Sequence, residues 1–353
     1  MLAPTGLDPA ATAAADPSGQ FAAALAIGDH LRDALARSAS VELGRWSSPG
    51  GLVVAGMGGS AVGAVLAGAI LTGRASGPIL SARGYELPPG TGAASTVLCA
   101  SYSGNTEETL ACFAAAGATG ARRVALTSGG ELARLAHEQG VPVLPLVGGL
   151  QPRAAVAYLL VGVLEVAAAC GVGPSLRLEL EHGARLLDAL TAEWGPAGPD
   201  DAESKTLART LHGTVPVITG MGPTAPVAYR WKCQINENAE WPAFSSELPE
   251  ADHNEIVGWA GAPGRGPFSA VLLEDRDAHP RLLRRAELTA ALIATDAAGV
   301  HRVATRGETL VERVLSLVLL GDLVSLYLAV LGGVDPGPVA VIETLKEQLA
   351  RDA

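Results

Sequence analysis

The sequence of 353 residues is poor in aromatic side chains, which make up only 4% of it. Its cores must therefore be aliphatic and tightly packed, and 48% of the residues are hydrophobic. Basic residues are also scarce, because 25 Lys and Arg stand against 36 Asp and Glu, a net charge of −11. That balance argues against nucleic acid and acidic membrane surfaces as partners. An anionic substrate would have to be attracted locally, through backbone N–H groups and a few placed cations.

Cysteine is rare and unpatterned. The sequence contains neither CxxC pairs nor metal-ligand spacing, so we expect reduced thiols and no metal site at Cys99, Cys112, Cys170 and Cys233. The first 19 residues lack the basic and apolar regions of a signal peptide. We interpret them as a flexible lead-in.

Two long apolar stretches, 154–173 and 314–333, carry acidic residues near their middles, Glu165 and Asp322. A carboxylate at the centre of a bilayer costs about 2.5–3.5 kcal/mol on the translocon scale. We therefore expect two helices buried between a sheet and a partner subunit, no membrane span, and a cytoplasmic protein.

From residue 20 onward, helical and strand-like patterns alternate. Five short apolar strands in the first half predict a doubly wound α/β layout with a parallel sheet. The Gly/Pro cluster 195–200 indicates a linker, which divides the chain into domains 20–198 and 199–353. The pattern then restarts with three further strands and several helices.

A short echo links the two halves. Both "VVAGMGGSAVGAVLAG" and "PVITGMGPTAPVAYRW" contain a strand, then GMG, then a helical segment, which favours a duplicated fold. Pro223 and Thr224 replace Gly59 and Ser60 in the second copy. Because proline lacks both an N–H and the freedom of glycine, we expect only the first copy to bind an anion.

The stretch "GMGGSAVGA" at 56–64 follows a strand and opens a helix, a position that favours anion binding. No lysine follows the glycines, so a P-loop is excluded. Gly56, Gly58 and Ala61 fit the dinucleotide pattern GxGxxG/A. Arg83, near the end of the next strand, suits a 2′-phosphate, so NADP binding stays open, as does a purely structural turn.

A second loop, "SYSGNTEET" at 101–109, supplies hydroxyl groups at the same expected sheet edge. Any one of them also fits an ordinary helix cap. Two facing loops suit a single terminal phosphate better than a pyrophosphate. The candidate phosphate-binding residues are Gly58, Gly59, Ser60, Ser101, Ser103 and Thr106.

The two loops together resemble a sugar isomerase (SIS) domain. The segment "QINENAEWPAFSSELPEADHNEIVGW", with "QPRAA" and "ETLKEQL", is similar to the bifunctional phosphoglucose/phosphomannose isomerase family over nearly the whole chain. The resemblance implies an α/β protein with two SIS-type subdomains. Each would be a parallel sheet flanked by helices, a flavodoxin-like αβα sandwich.

The resemblance also implies roles for individual residues. Glu237 matches the carboxylate base, His253 the ring-opening histidine, Arg153 the cation beside the enediolate, and Lys346 a lysine that contacts ring or hydroxyl oxygens. The spacing alone does not single out this base, and His253 also fits a surface histidine. The rival carboxylates are Glu240, Glu247, Glu250 and Glu255.

The implied activity interconverts glucose 6-phosphate or mannose 6-phosphate with fructose 6-phosphate through a cis-enediolate, without a metal or cofactor. The family resemblance further implies a homodimer whose active site lies at the subunit interface, with the histidine reaching across. The two apolar helices suit that interface. The alternative is a phosphosugar-binding regulator without turnover, and the four matched polar residues favour the enzyme.

Overall fold

A computed structural model describes residues 6–349 and 351. The helices are α1 Pro9–Ala15, α2 Gln20–Leu25, α3 Ile27–Ala39, α4 Gly58–Ile70, α5 Glu107–Ala118, α6 Gly130–Glu138, α7 Val156–Ala169, α8 Arg177–Trp194, α9 Glu203–Leu211, α10 Ala225–Asn238, α11 Pro280–Ile293, α12 Leu310–Gly332 and α13 Ala340–Leu349. The strands are β1 Leu52–Ala55, β2 Ile79–Ala82, β3 Thr96–Ala100, β4 Arg122–Thr127, β5 Val143–Pro145, β6 Val215–Met221, β7 Phe244–Leu248, β8 Phe268–Glu274 and β9 Gly299–Ala304.

The first half forms a five-stranded sheet in the order β2-β1-β3-β4-β5. All neighbouring strands are parallel. This is the flavodoxin-like order, which reverses direction between β1 and β3 and opens a crevice at their carboxyl ends. The predicted α/β class and the five strands are confirmed.

The second half forms a four-stranded parallel sheet in the order β7-β6-β8-β9. Its order repeats that of the first four strands of the other sheet, as a duplicated fold would. The sequence analysis did not predict β7. Three of the five residues of this edge strand are polar and three are exposed, so the apolar run typical of a buried parallel strand is missing.

The two halves share one hydrophobic core, which contains residues from Leu7 to Val330. The predicted boundary at 198/199 lies in the segment between α8 and α9. Helix α12 packs against α8, α9 and α10, and also contacts α4 of the first half. Each half also has a smaller hydrophobic cluster of its own. The division into two domains therefore describes the sheets and these smaller clusters but not the shared core, and the boundary itself stays a prediction.

Both long apolar helices are buried within a single chain. In length and composition they could cross a membrane, but 72% of the window at Pro152–Ala169 and 94% of that at Leu310–Gly332 is buried in the protein. The expectation that they form a dimer interface is therefore wrong. Their apolar side chains are already covered by helices and strands of their own chain.

The segment 6–19 also differs from the expected flexible lead-in. Helix α1 is capped by the Asp8 carboxylate, which accepts hydrogen bonds from the N–H groups of Ala10 and Ala11. Leu7 and Thr12 are buried, and α1 packs on α12. This stretch is therefore part of the fold, while the first five residues lie outside the described part.

Candidate active site

The two predicted anion loops meet at the carboxyl edge of the first sheet. They follow β1 and β3, which are neighbours. The Tyr102 N–H donates a hydrogen bond to the Ser60 hydroxyl oxygen at 3.2 Å. The loops therefore contact each other directly and form one cup, defined by residues 58–60 and 101–106.

The hydroxyl groups of the second loop are organised by one another and by the backbone. The Ser101 and Thr106 oxygens lie 2.8 Å apart. The Gly104 N–H donates to Ser101 Oγ at 3.1 Å, and the Asn105 N–H donates to Ser103 Oγ at 3.2 Å. These contacts hold three hydroxyl groups on one short turn.

Helices α4 and α5 both begin at this cup. Their N-cap residues are Met57 and Thr106, and neither side chain makes a capping hydrogen bond. Thr106 therefore occupies the N-cap position, but its hydroxyl does not cap the helix. Uncapped N–H groups at two helix N-termini, with the helix dipoles behind them, favour an anion.

Gly59 joins the cup to the turn that carries Arg153. A Cβ atom at this position would lie 2.8 Å from the Pro152 carbonyl oxygen and 3.2 Å from the Arg153 nitrogen. Any side chain would push this turn, a 3₁₀ helix at Pro152–Ala155, away from the cup. The cup and Arg153 are thus packed as one unit.

The second GMG loop has the same turn, but the hydroxyl of its Thr224 is hydrogen-bonded within the protein. Gly58 and Gly222 have φ values of +51° and +53°. Thr224 is fully buried, and its hydroxyl donates to the Leu273 carbonyl at 2.7 Å and accepts from the Met221 N–H at 2.8 Å. Its hydrogen-bonding capacity is taken up by the protein, in line with the prediction that only the first copy binds an anion.

Arg153 is buried, with 4% of its surface exposed. Its Nε donates to Asn238 Oδ1 at 2.7 Å. Its Nη2 donates to the carbonyl oxygen of Gly337 at 2.9 Å and also to that of Pro336. Burial lowers the pKa of Arg153, and the nearby charge of Glu237 opposes that shift. The cation is thus held by neutral oxygen atoms in a dry environment.

Glu237 lies beside this cation in the last turn of α10. Its Oε2 is 3.7 Å from Arg153 Nη1, and its side chain is 31% exposed. It is the one carboxylate within 4 Å of Arg153 in the described part of the chain. The rival carboxylates of the sequence analysis form no ion pair with Arg153 among those residues. Its position beside Arg153 therefore distinguishes Glu237 from the other candidate bases.

His253 and Lys346 are both exposed. His253 ends a 3₁₀ turn at Glu250–His253, and it is exposed. The turn is anchored by Asp252, whose carboxylate accepts from Arg285 and Thr289. Lys346 is exposed on α13, a helix with no buried residue. The side chains of His253 and Lys346 form no hydrogen bond or ion pair within residues 6–349. One chain thus brings Arg153, Glu237 and the cup together but leaves these two unpartnered.

Asn238 is a site residue that the sequence analysis quoted without giving it a role. It accepts the hydrogen bond from Arg153, and only 2% of its surface is exposed. A signal was present in the sequence, because Arg230, Gln234 and Asn238 are polar, spaced four apart, and therefore share one helix face. All three are buried.

Two parallel sheets flanked by helices define the fold class of this protein, and solved structures share that fold. A glucose-6-phosphate isomerase-like protein from Thermus thermophilus has the same fold, with a TM-score of 0.63 and 21% identity over 98% of this chain and 99% of that one. A protein from Clostridium difficile that carries the name putative phosphosugar isomerase has a TM-score of 0.69 and 14% identity over 92% of this chain and 97% of that one.

The comparisons with individual families narrow the class. Residues 200–349 match the bacterial phospho-glucose isomerase C-terminal SIS domain. This chain is 37% identical to the bifunctional phosphoglucose/phosphomannose isomerase of Caldicellulosiruptor bescii, over 85% of this chain and 89% of the relative. It is 36% identical to the enzyme of the same name from Aquifex aeolicus, over 86% of this chain and 91% of the relative. This chain belongs to the bifunctional phosphoglucose/phosphomannose isomerase family.

Gly59→Ala tests whether the cup and Arg153 are one unit. The new methyl group must displace the Pro152–Arg153 backbone, so we expect sugar phosphate isomerisation to fall roughly 10- to 100-fold, as small misplacements of catalytic groups do. The control is Gly68→Ala in α4, where an added Cβ meets no atom within 4 Å. Equal activity of both variants, measured with fructose 6-phosphate, would contradict the coupling.

Proposed function

We propose that this chain is an aldose–ketose isomerase that interconverts glucose 6-phosphate, mannose 6-phosphate or both with fructose 6-phosphate. The observation that carries the proposal is the pair of Glu237 and Arg153, 3.7 Å apart and packed through Gly59 against an open phosphate cup. A carboxylate able to move a proton stands next to a cation able to stabilise negative charge. Family membership supports the same reaction.

The chemistry follows from these groups. With the phosphate in the cup, Glu237 removes the C2 proton of the open-chain aldose. The electrons of that bond form the C1–C2 double bond, and those of the C1 carbonyl become a lone pair on O1. The resulting cis-enediolate is stabilised by Arg153. Glu237 returns its proton to C1, and the hydroxyl proton moves from O2 to O1 to give the ketose.

One base serves both hexoses in this scheme. Glucose 6-phosphate and mannose 6-phosphate differ only in configuration at C2, and that carbon becomes planar in the enediolate. Rotation about the C2–C3 bond presents either face of the intermediate to Glu237. The site therefore needs no second base for the second epimer.

We assign ring opening to His253 of a second subunit in a homodimer. Its exposure, and the lack of a side-chain hydrogen bond within the described part of its own chain, support that assignment. Lys346 fits a role at the sugar hydroxyls, since α13 begins three residues after Gly337, whose carbonyl is held by Arg153. A cytoplasmic location stays a prediction from the sequence.

Incubation of the purified protein with fructose 6-phosphate and a chelator tests the function. We expect glucose 6-phosphate, mannose 6-phosphate or both to form. A protein that binds these sugar phosphates tightly yet forms neither at high enzyme concentration would instead be the non-catalytic regulator.

Glu237→Gln tests the base. It keeps the shape of the side chain but cannot carry the proton, so kcat should fall about 10²- to 10⁴-fold while sugar phosphate binding persists. Ser101→Ala is the matched contrast, because loss of a cup hydroxyl should raise KM and leave kcat nearly unchanged. Turnover of Glu237→Gln close to that of the wild type would refute the assignment.

Mixed dimers test the shared active site. Glu237→Gln and His253→Ala homodimers should each be nearly inactive. A hybrid dimer contains one site with both intact residues if His253 acts across the interface, so random mixing should restore about a quarter of wild-type activity. If His253 served its own chain, every hybrid site would carry one defect and mixing would restore nothing.

A further inference from the structure

We propose that Asn238 is a positioning residue. It holds the buried Arg153 guanidinium through a neutral hydrogen bond, so that Nη1 stays available to the anionic intermediate. This inference rests on the proposed function, because it specifies how that site keeps its cation charged and aimed. Asn238 itself does not touch the substrate in this scheme.

The donors of Arg153 can be counted. A guanidinium has five N–H bonds, one on Nε and two on each Nη. The Nε–H is directed to Asn238, and the two on Nη2 are directed to the carbonyls of Pro336 and Gly337. Among residues 6–349, Nη1 has no acceptor within hydrogen-bond distance, and it lies 3.7 Å from the Glu237 carboxylate. The free edge of the cation therefore faces the base.

All three acceptors are uncharged. Amide and carbonyl oxygens orient the guanidinium without cancelling its positive charge. A carboxylate in the place of Asn238 would form a close, charge-assisted pair in a poorly solvated site and would compensate much of the field that the enediolate needs. The choice of asparagine at this position thus has a chemical reason.

The orientation of the Asn238 amide is determined by its neighbours. A guanidinium only donates, so the atom facing Arg153 must be Oδ1. Nδ2 then donates to Ser325 Oγ at 2.9 Å, and the Ser325 hydroxyl donates to the Asp322 carbonyl at 2.7 Å. This chain of hydrogen bonds anchors Asn238 to the core of α12.

The backbone of Arg153 is held by the same helix face. Arg230 Nη2 donates to the Arg153 carbonyl at 3.0 Å, and the Arg230 guanidinium pairs with Asp322 through bonds of 3.0 and 2.7 Å. Gln234 donates to the same carboxylate at 3.1 Å. The face formed by Arg230, Gln234 and Asn238 therefore fixes both the main chain and the side chain of Arg153.

Asn238→Asp is the direct test, because it keeps the acceptor and adds a charge. We expect kcat to fall roughly 10- to 100-fold, with KM nearly unchanged. This is less than the loss of a whole donor to a developing oxyanion, because Arg153 itself stays in place. Asn236→Asp is the matched control. It adds the same charge on the same helix at an exposed residue that keeps its bond to the Ala243 N–H, so we expect wild-type kinetics.

Two inhibitors separate positioning from general structural damage. In 5-phosphoarabinonate a carboxylate stands where the enediolate forms, whereas glucitol 6-phosphate offers only hydroxyl groups there. For Asn238→Asp, the Ki of 5-phosphoarabinonate should rise in proportion to the loss of kcat, and that of glucitol 6-phosphate should stay nearly constant. Wild-type values for both inhibitors, or equal weakening of both, would overturn the proposal.

Ser325→Ala gives a second, uncharged test that also applies if Asn238→Asp does not fold. Without its support the amide is less well oriented, so we expect a smaller rise in the Ki of 5-phosphoarabinonate alone. An unchanged ratio of the two Ki values would overturn the positioning role. Failure of the proposed function looks different, because the wild type would then form no product from fructose 6-phosphate and would not prefer 5-phosphoarabinonate to glucitol 6-phosphate.

Discussion

The candidate site depends on one buried cation. Arg153 is removed from water yet has no carboxylate at hydrogen-bond distance among the described residues, since its partners are Asn238 and two backbone carbonyls. Burying a charge is costly unless polar groups compensate it. The surrounding helices supply those dipoles and leave the charge directed toward Glu237. An anion at C1 and C2 of a sugar would accept hydrogen bonds from Arg153 Nη1, which has no acceptor among the described residues.

The duplicated architecture explains how the site is assembled. In the first copy the Ser60 hydroxyl accepts one hydrogen bond from the facing loop, whereas in the second copy the Thr224 hydroxyl both donates to and accepts from the protein. The second copy instead contributes α10, which carries Glu237 and Asn238, and α12, which supports them. Gly59 allows the phosphate cup and the Arg153 turn to pack closely. In the proposed mechanism, the first copy therefore binds the phosphate and supplies the cation, and the second copy supplies the base.

Much of the fold, and the place of the two anion loops within it, was predictable from the sequence. Apolar strand patterns identified the five strands of the first sheet, and the two loops were placed correctly at its carboxyl edge. The edge strand β7 was not predictable, because three of its five residues are polar and the strand has no apolar run. The burial of α7 and α12 within one chain could not be read from composition, because a dimer interface and a core require the same residues. The role of Asn238 depends on a partner 85 positions away.

A crystal structure of the protein with 5-phosphoarabinonate tests the central claim most directly. We expect the phosphate to lie within hydrogen-bond distance of Ser60, Ser101 and Thr106. We also expect the carboxylate between Arg153 Nη1 and Glu237, with the bond from Arg153 Nε to Asn238 unbroken. A phosphate bound away from the cup, or a guanidinium that leaves Asn238 to meet the ligand, would contradict that claim.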